Sequence, residues 1–117
     1  MRIPDLLMNL EFVGRAEGDR RTYYVFKGRT RYLVVSGHNR GGFNLNTVAV
    51  ETPDVILRRF AGERITTKML AQSSRRPDLF RQGFDRLNSM YVMVALGKAK
   101  KLKQREGKAM VFRVAAH

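Results

Sequence analysis

The chain has 117 residues, 44% of them apolar and 28% charged, with a formal net charge of +13. The apolar share is enough for a real core, while no apolar run approaches the roughly 18–20 residues of a membrane-spanning helix, so no membrane partner is expected. The absence of cysteine excludes disulfides, thiol catalysis and thiolate metal sites, and two histidines, His38 and His117, leave little for a histidine metal centre.

The start, Met1-Arg2-Ile3-Pro4-Asp5, lacks the long apolar stretch of a secretory signal. An intracellular protein, cytoplasmic or nucleoid-associated and working without a cofactor, is therefore expected. Charge is unevenly spread: residues 1–50 hold 8 Lys/Arg against 4 Asp/Glu, and residues 51–117 hold 15 against 6. Excess charge of this size repels itself and implies an anionic partner.

Along residues 1–19 the reading is divided, since Leu6, Leu7 and Leu10 have helical spacing while Phe12-Val13 suits a strand. Arg21–Lys27 and Arg31–Ser36 are rich in aromatic and β-branched residues and read as strands. The turn Lys27-Gly28-Arg29-Thr30 makes them a hairpin. Gly42–Val50 alternates Phe43 and Leu45 with Asn44 and Asn46, as a half-buried strand does. The connection Ser36–Gly42 is a glycine-rich loop holding His38, Asn39 and Arg40.

From residue 52 the pattern becomes helical. Thr52 serves as N-cap with Pro53 at the first helical position, and Gly62 stops the helix after Ala61. A second short helix spans Thr66–Gln72 and is broken by Ser73-Ser74-Arg75-Arg76-Pro77. A third runs from about Pro77-Asp78 to Leu96. In it Phe80, Phe84, Leu87, Tyr91 and Val94 form one apolar face, and Arg81, Gln82, Asp85, Arg86 and Ser89 the other. Gly83, inside this helix, costs roughly 1 kcal/mol relative to alanine. Gly97–Val114 then reads as a hairpin turning at Glu106-Gly107, with six cations between residues 98 and 108. Leu102, Met110, Phe112 and Val114 face inward, and Lys101 and Lys103 outward.

Three helices, with a polar break between the second and third, followed by a basic hairpin, resemble a winged helix-turn-helix over roughly residues 52–114. The stretch Ile65–Ala71 is similar to the second helix of that family, and Phe84–Leu102 to its recognition helix running into the wing. Joined to the strands read before it, the resemblance gives an α+β protein: a small N-terminal antiparallel β-sheet (1–51), then, as the resemblance implies, a three-helix winged helix-turn-helix with a basic C-terminal β-hairpin (52–117), the two forming one unit. It implies a double-stranded DNA partner. Arg81, Gln82, Asp85, Arg86 and Ser89 would read base edges or grip phosphate. Lys68, Arg75 and Arg76 would lie near the helix start, and Lys101, Lys103, Arg105 and Lys108 would meet phosphates from the wing.

Two other classes stay open. Pro53-Asp54 with Glu106-Gly107-Lys108 could serve a metal-dependent nuclease, although a helix start and a hairpin tip explain both, and the His38 loop reads as a polar β-connection. Enzyme activity is thus not the leading expectation. Tyr23, Tyr24, Phe26, Tyr32 and Phe43, interleaved with Arg20, Arg21, Arg29 and Arg31, suit RNA or single strands. The same sheet could instead join two copies of the chain.

Overall fold

Alternating apolar and polar residues in the first third fold into four strands, β1 (Glu11–Glu17), β2 (Thr22–Lys27), β3 (Arg31–Gly37) and β4 (Phe43–Ala49), paired antiparallel in chain order. The computed structural model describes residues 9–38 and 40–116. The spacing of Leu6 and Leu7, and Asn39 of the glycine-rich loop, lie outside the described residues. Gly28 closes the expected hairpin, its N–H donating to the Arg31 carbonyl at 2.8 Å. Since side chains alternate across a strand, Val25, Tyr32, Val34 and Val48 share one face and form a buried cluster with Val92. The opposite face leaves Phe12, Tyr24, Phe43 and Leu45 exposed.

Beyond Val50 the chain turns helical. α1 (Thr52–Phe60) begins one residue earlier than expected, with Glu51 in the capping position and Pro53 in its first turn. Gly62 ends it in the left-handed region, φ +77°, where a residue without Cβ costs least. Next comes β5 (Arg64–Thr66), then α2 (Thr67–Ser73). Three residues carry too little periodicity to be read as a strand, and pairing with the distant C-terminus is what makes β5 one.

The third helix is shorter than its apolar spacing predicts. Pro77–Leu79 forms a single 3-10 turn, the chain breaks at Phe80, and α3 covers Gly83–Ala95. Gly83 is thus the first residue of the helix, so no interior-glycine cost arises. Asp85 caps this start, accepting the Gln82 N–H at 3.0 Å, one of the donors that a helix N-terminus leaves orphaned.

α3 is covered on two sides. Met90 and Met93 join Ile56, Phe60, Ile65, Leu70, Phe80 and Phe112 in one cluster, and Val92 joins the sheet cluster. All six residues from Asn88 to Met93 are buried. One apolar stripe facing one polar face describes a helix with solvent on one side, and here that premise fails. Phe80 and Tyr91 are core as expected, but Phe84 is 57% exposed. Ser89, expected on the solvent face, is buried and donates to the Asp85 carbonyl at 2.6 Å.

The hairpin forms as expected from β6 (Ala99–Glu106) and β7 (Ala109–Val114). β5 adds to it, giving a three-stranded sheet in the order β5–β7–β6. Phe112 and Val114 are fully buried and Met110 packs against the same core. The β6 alternation runs opposite to expectation, however. Lys101 pairs in register with buried Phe112, and Lys100 with exposed Arg113. A shift of one residue exchanges every side chain between faces, so Lys100 points outward where Lys101 was expected to.

The halves on either side of residue 51 share α3. Tyr23 of β2 stacks on Tyr91 with ring centroids 4.0 Å apart. Asp19, in the β1–β2 turn, reaches Lys101 and Arg105 of β6 at 2.8 and 2.9 Å. Among the described residues no helix is long and apolar enough to cross a membrane.

Candidate nucleic-acid interface

One face of the β5–β7–β6 sheet carries Arg64, Arg113 and Lys100 directly opposite one another, one per strand, at the end away from buried Thr66 and Val111. All three are exposed, while Ile65 and Phe112, the next residues along, are buried. Paired positions on adjacent strands bring Cβ atoms within about 4.5–5.5 Å, and like charges placed so are destabilising. Among the described residues only Arg64 has a polar partner here, the Gln104 side-chain oxygen. None of the three makes an ion pair with a described residue. A row of unneutralised cations about 10 Å across, two strand spacings, is therefore held together at an electrostatic cost that a bound polyanion would remove.

The residues expected to contact DNA divide into two groups. Lys68, Arg75, Arg81, Gln82, Lys103 and Lys108 are exposed, and the cations among them form no ion pair with a described residue. Arg75 sits in the turn after α2 at φ +66°, a strained conformation for a residue with a side chain. The second group is already engaged. Arg76 pairs with Asp78 at 2.9 Å and Glu51 at 3.5 Å. Arg86 donates to the Phe80 and Arg81 carbonyls at 2.9 and 3.2 Å, closing the break before α3. Asp85 and Ser89 serve the helix itself. Lys101 and Arg105 are held by Asp19.

Arg64, Lys100 and Arg113 were not singled out from the sequence. Their signal was present in part: Phe112-Arg113-Val114 alternates, and it places Arg113 outward. The missing information was the third strand, which aligns Arg64 beside it.

Hydrogen bonding from Lys101 first, and from Arg105, holds the Asp19 carboxyl below its ordinary value of 3.8. A group whose pKa is lowered by folding adds stability above its unfolded pKa and loses it as pH falls through the folded value. The bridge should thus be intact at neutral pH and lost only below about pH 4. Thermal melts of the wild type and Asp19→Asn are expected to differ at pH 5–7 and converge toward pH 2. Curves that stay parallel down to pH 2 would show that the bridge contributes nothing.

His38 fulfils a local role, its Nδ1 accepting the Arg40 N–H at 3.1 Å. Asp54 lies on α1 and Glu106 at the hairpin tip. Among the described residues no group of three or more His, Asp or Glu side chains is placed to hold a metal ion. Of the sheet aromatics, Tyr24 and Phe43 face solvent, whereas Tyr32 is buried and Tyr23 packs against Tyr91. Comparison with protein-family models, with curated proteins and with solved structures returned no match.

Proposed function

We propose that this protein binds double-stranded DNA, gripping its phosphates with the C-terminal hairpin sheet of a winged-helix arrangement. The observation that carries this reading is the cross-strand row Arg64, Arg113 and Lys100. Three helices followed by a basic two-stranded hairpin, in that order, support the arrangement. Lys103 and Lys108 near the hairpin tip, and Lys68, Arg75 and Arg81 around the second and third helices, extend the same positive field.

The covering of α3 favours one kind of binding over another. A recognition helix reads bases by presenting side chains to the major groove, and Asn88 to Met93 face protein on both sides. Only Arg81, Gln82 and the first helical turn are left to touch base edges. Binding is therefore dominated by the backbone, with little sequence preference. Titration of two unrelated duplexes over a salt series tests this. Nearly equal affinities are expected, with log K falling against log salt at a slope of about −4.5 to −6.3 for five to seven phosphate contacts. Affinity indifferent to salt would refute it.

Exposed Tyr24 and Phe43 on the outer sheet face favour a second reading, contact with RNA or single strands. Competition by those polymers in the same titration separates the two.

A further inference from the structure

A cleft of about 240 Å³ opens where edge strand β4 faces the first half of α3, lined among others by Asn44, Asn46, Asn88, Leu45, Phe84 and Tyr23. Asn88 is 5% exposed. Its side-chain nitrogen donates to the Phe84 carbonyl at 2.8 Å, which fixes how the amide lies. Its oxygen is buried and accepts no hydrogen bond from any described residue. An acceptor left so is costly, and it calls for a donor brought from outside the fold. At the mouth, Phe84 and Leu45 are 57% and 60% exposed.

These features describe a ligand that is flat, apolar on its faces and able to donate at its edge. The volume falls short of the roughly 300–1,000 Å³ of pockets for drug-sized molecules, and suits a single ring system. Asparagine amides, with a donor and an acceptor side by side, match the edges of nucleobases. Aromatic side chains at such a site stack on base faces. The cleft and the hairpin also meet at one residue: Tyr91 lines the cleft, and its hydroxyl contacts the Met110 sulfur of β7 at 3.9 Å. That contact lies on the hairpin's inner face, opposite the cation row, but exposed Arg81 stands three residues before Phe84 at the cleft mouth, so nucleic acid held by Arg81 passes close to the cleft.

Resting on the phosphate-binding role, we propose that the cleft between β4 and α3 takes an unpaired base of the bound nucleic acid. Asn88 accepts a hydrogen bond from the base edge, and Phe84 covers its face. The protein would then favour duplexes with a bulged or mismatched nucleotide, because a base already out of the stack enters without unpairing cost.

The test compares a perfectly paired duplex with one of the same sequence carrying a single bulged adenine, alongside an NMR titration with free adenosine. The wild type is expected to bind the bulged duplex about tenfold tighter, with adenosine shifting the resonances of Asn44, Asn46, Asn88 and Phe84. Phe84→Ala, at an exposed position that leaves folding intact, and Asn88→Leu should both erase the preference while keeping affinity for the paired duplex. A preference that survives in Phe84→Ala, or adenosine shifts that fall elsewhere, overturns the inference. Paired-duplex binding with neither preference nor adenosine shifts overturns it too and leaves the DNA-binding role standing. Adenosine shifts in the cleft without any duplex binding uphold the base site and reject that role instead.

Discussion

Replacing Lys100 and Arg113 together by alanine is expected to weaken duplex binding roughly sixtyfold at 0.1 M salt, since each neutralised phosphate contributes about 0.9 log units of counterion release there. The salt slope should flatten by about 1.8 for the same reason. Stability should move the other way. The two side chains stand opposite each other in register, with Arg64 beyond, and removing like charges from adjacent strands relieves repulsion. The melting temperature of the double variant should hold or rise slightly while affinity falls. A variant that lost binding by unfolding would lose both. Lys101→Ala is the matched control: it removes a cation one position along the chain, but one already paired with Asp19 at 2.8 Å, so its effect on binding should be much smaller. Equal losses from the control and the double variant would mean that total charge, and not the row, holds the DNA.

The contrast between Lys100 and Lys101 shows where sequence reading stops. Residue types established that the hairpin exists, that it is basic, and that Phe112 and Val114 are its inner face. They could not establish which lysines face out, because β6 carries an irregularity in its pairing between Lys101 and Arg105. Alternation read across such an irregularity loses its phase. Lys100 and Lys101 are chemically alike, so composition offers no second signal. Partner choice was equally hidden, since Asp19 lies 82 residues from Lys101 in the chain.

The helical third of the molecule shows a different limit. Turn chemistry was readable: Gly62 ends α1, and the Ser73–Pro77 break separates α2 from α3. Each signal there is local. Phe80 and Phe84 do not share one helical face. Their spacing of four fits a helix, but Pro77 starts a 3-10 turn instead, and Arg86 binds the carbonyls of the break. Ser89 departs from its expected exposure for a related reason. A serine at helical spacing opposite an apolar stripe is read as exposed, yet the N-terminal sheet covers that side of α3. That cover depends on how two parts of the chain dock, and no window of twenty residues contains it.

Docking of the sheet on α3 rests on a very close approach at Gly14, and Gly14→Ala is expected to cost about 3 kcal/mol, at the upper end for an overpacked site. A Cβ built at this position would stand 2.4 Å from the Ala95 carbonyl oxygen, in the last turn of α3. Both groups are backbone, so neither can rotate away as a flexible side chain would. Gly14 also adopts φ +153°, a conformation that residues with side chains rarely take. The strand must therefore lift off the helix, which opens the buried cluster around Val25, Val34 and Val92. For a chain of this length the melting temperature should fall by about 10 °C or more. Gly37→Ala, where an added Cβ meets nothing within 4 Å, should leave it nearly unchanged. The same lifting would uncover the side of α3 that the sheet now hides. If the sheet is what limits this protein to gripping phosphates, Gly14→Ala, measured well below its melting temperature, should bind duplexes with altered sequence preference. Unchanged preference, despite the lost stability, would mean that α3 does not read bases even when its cover is loosened.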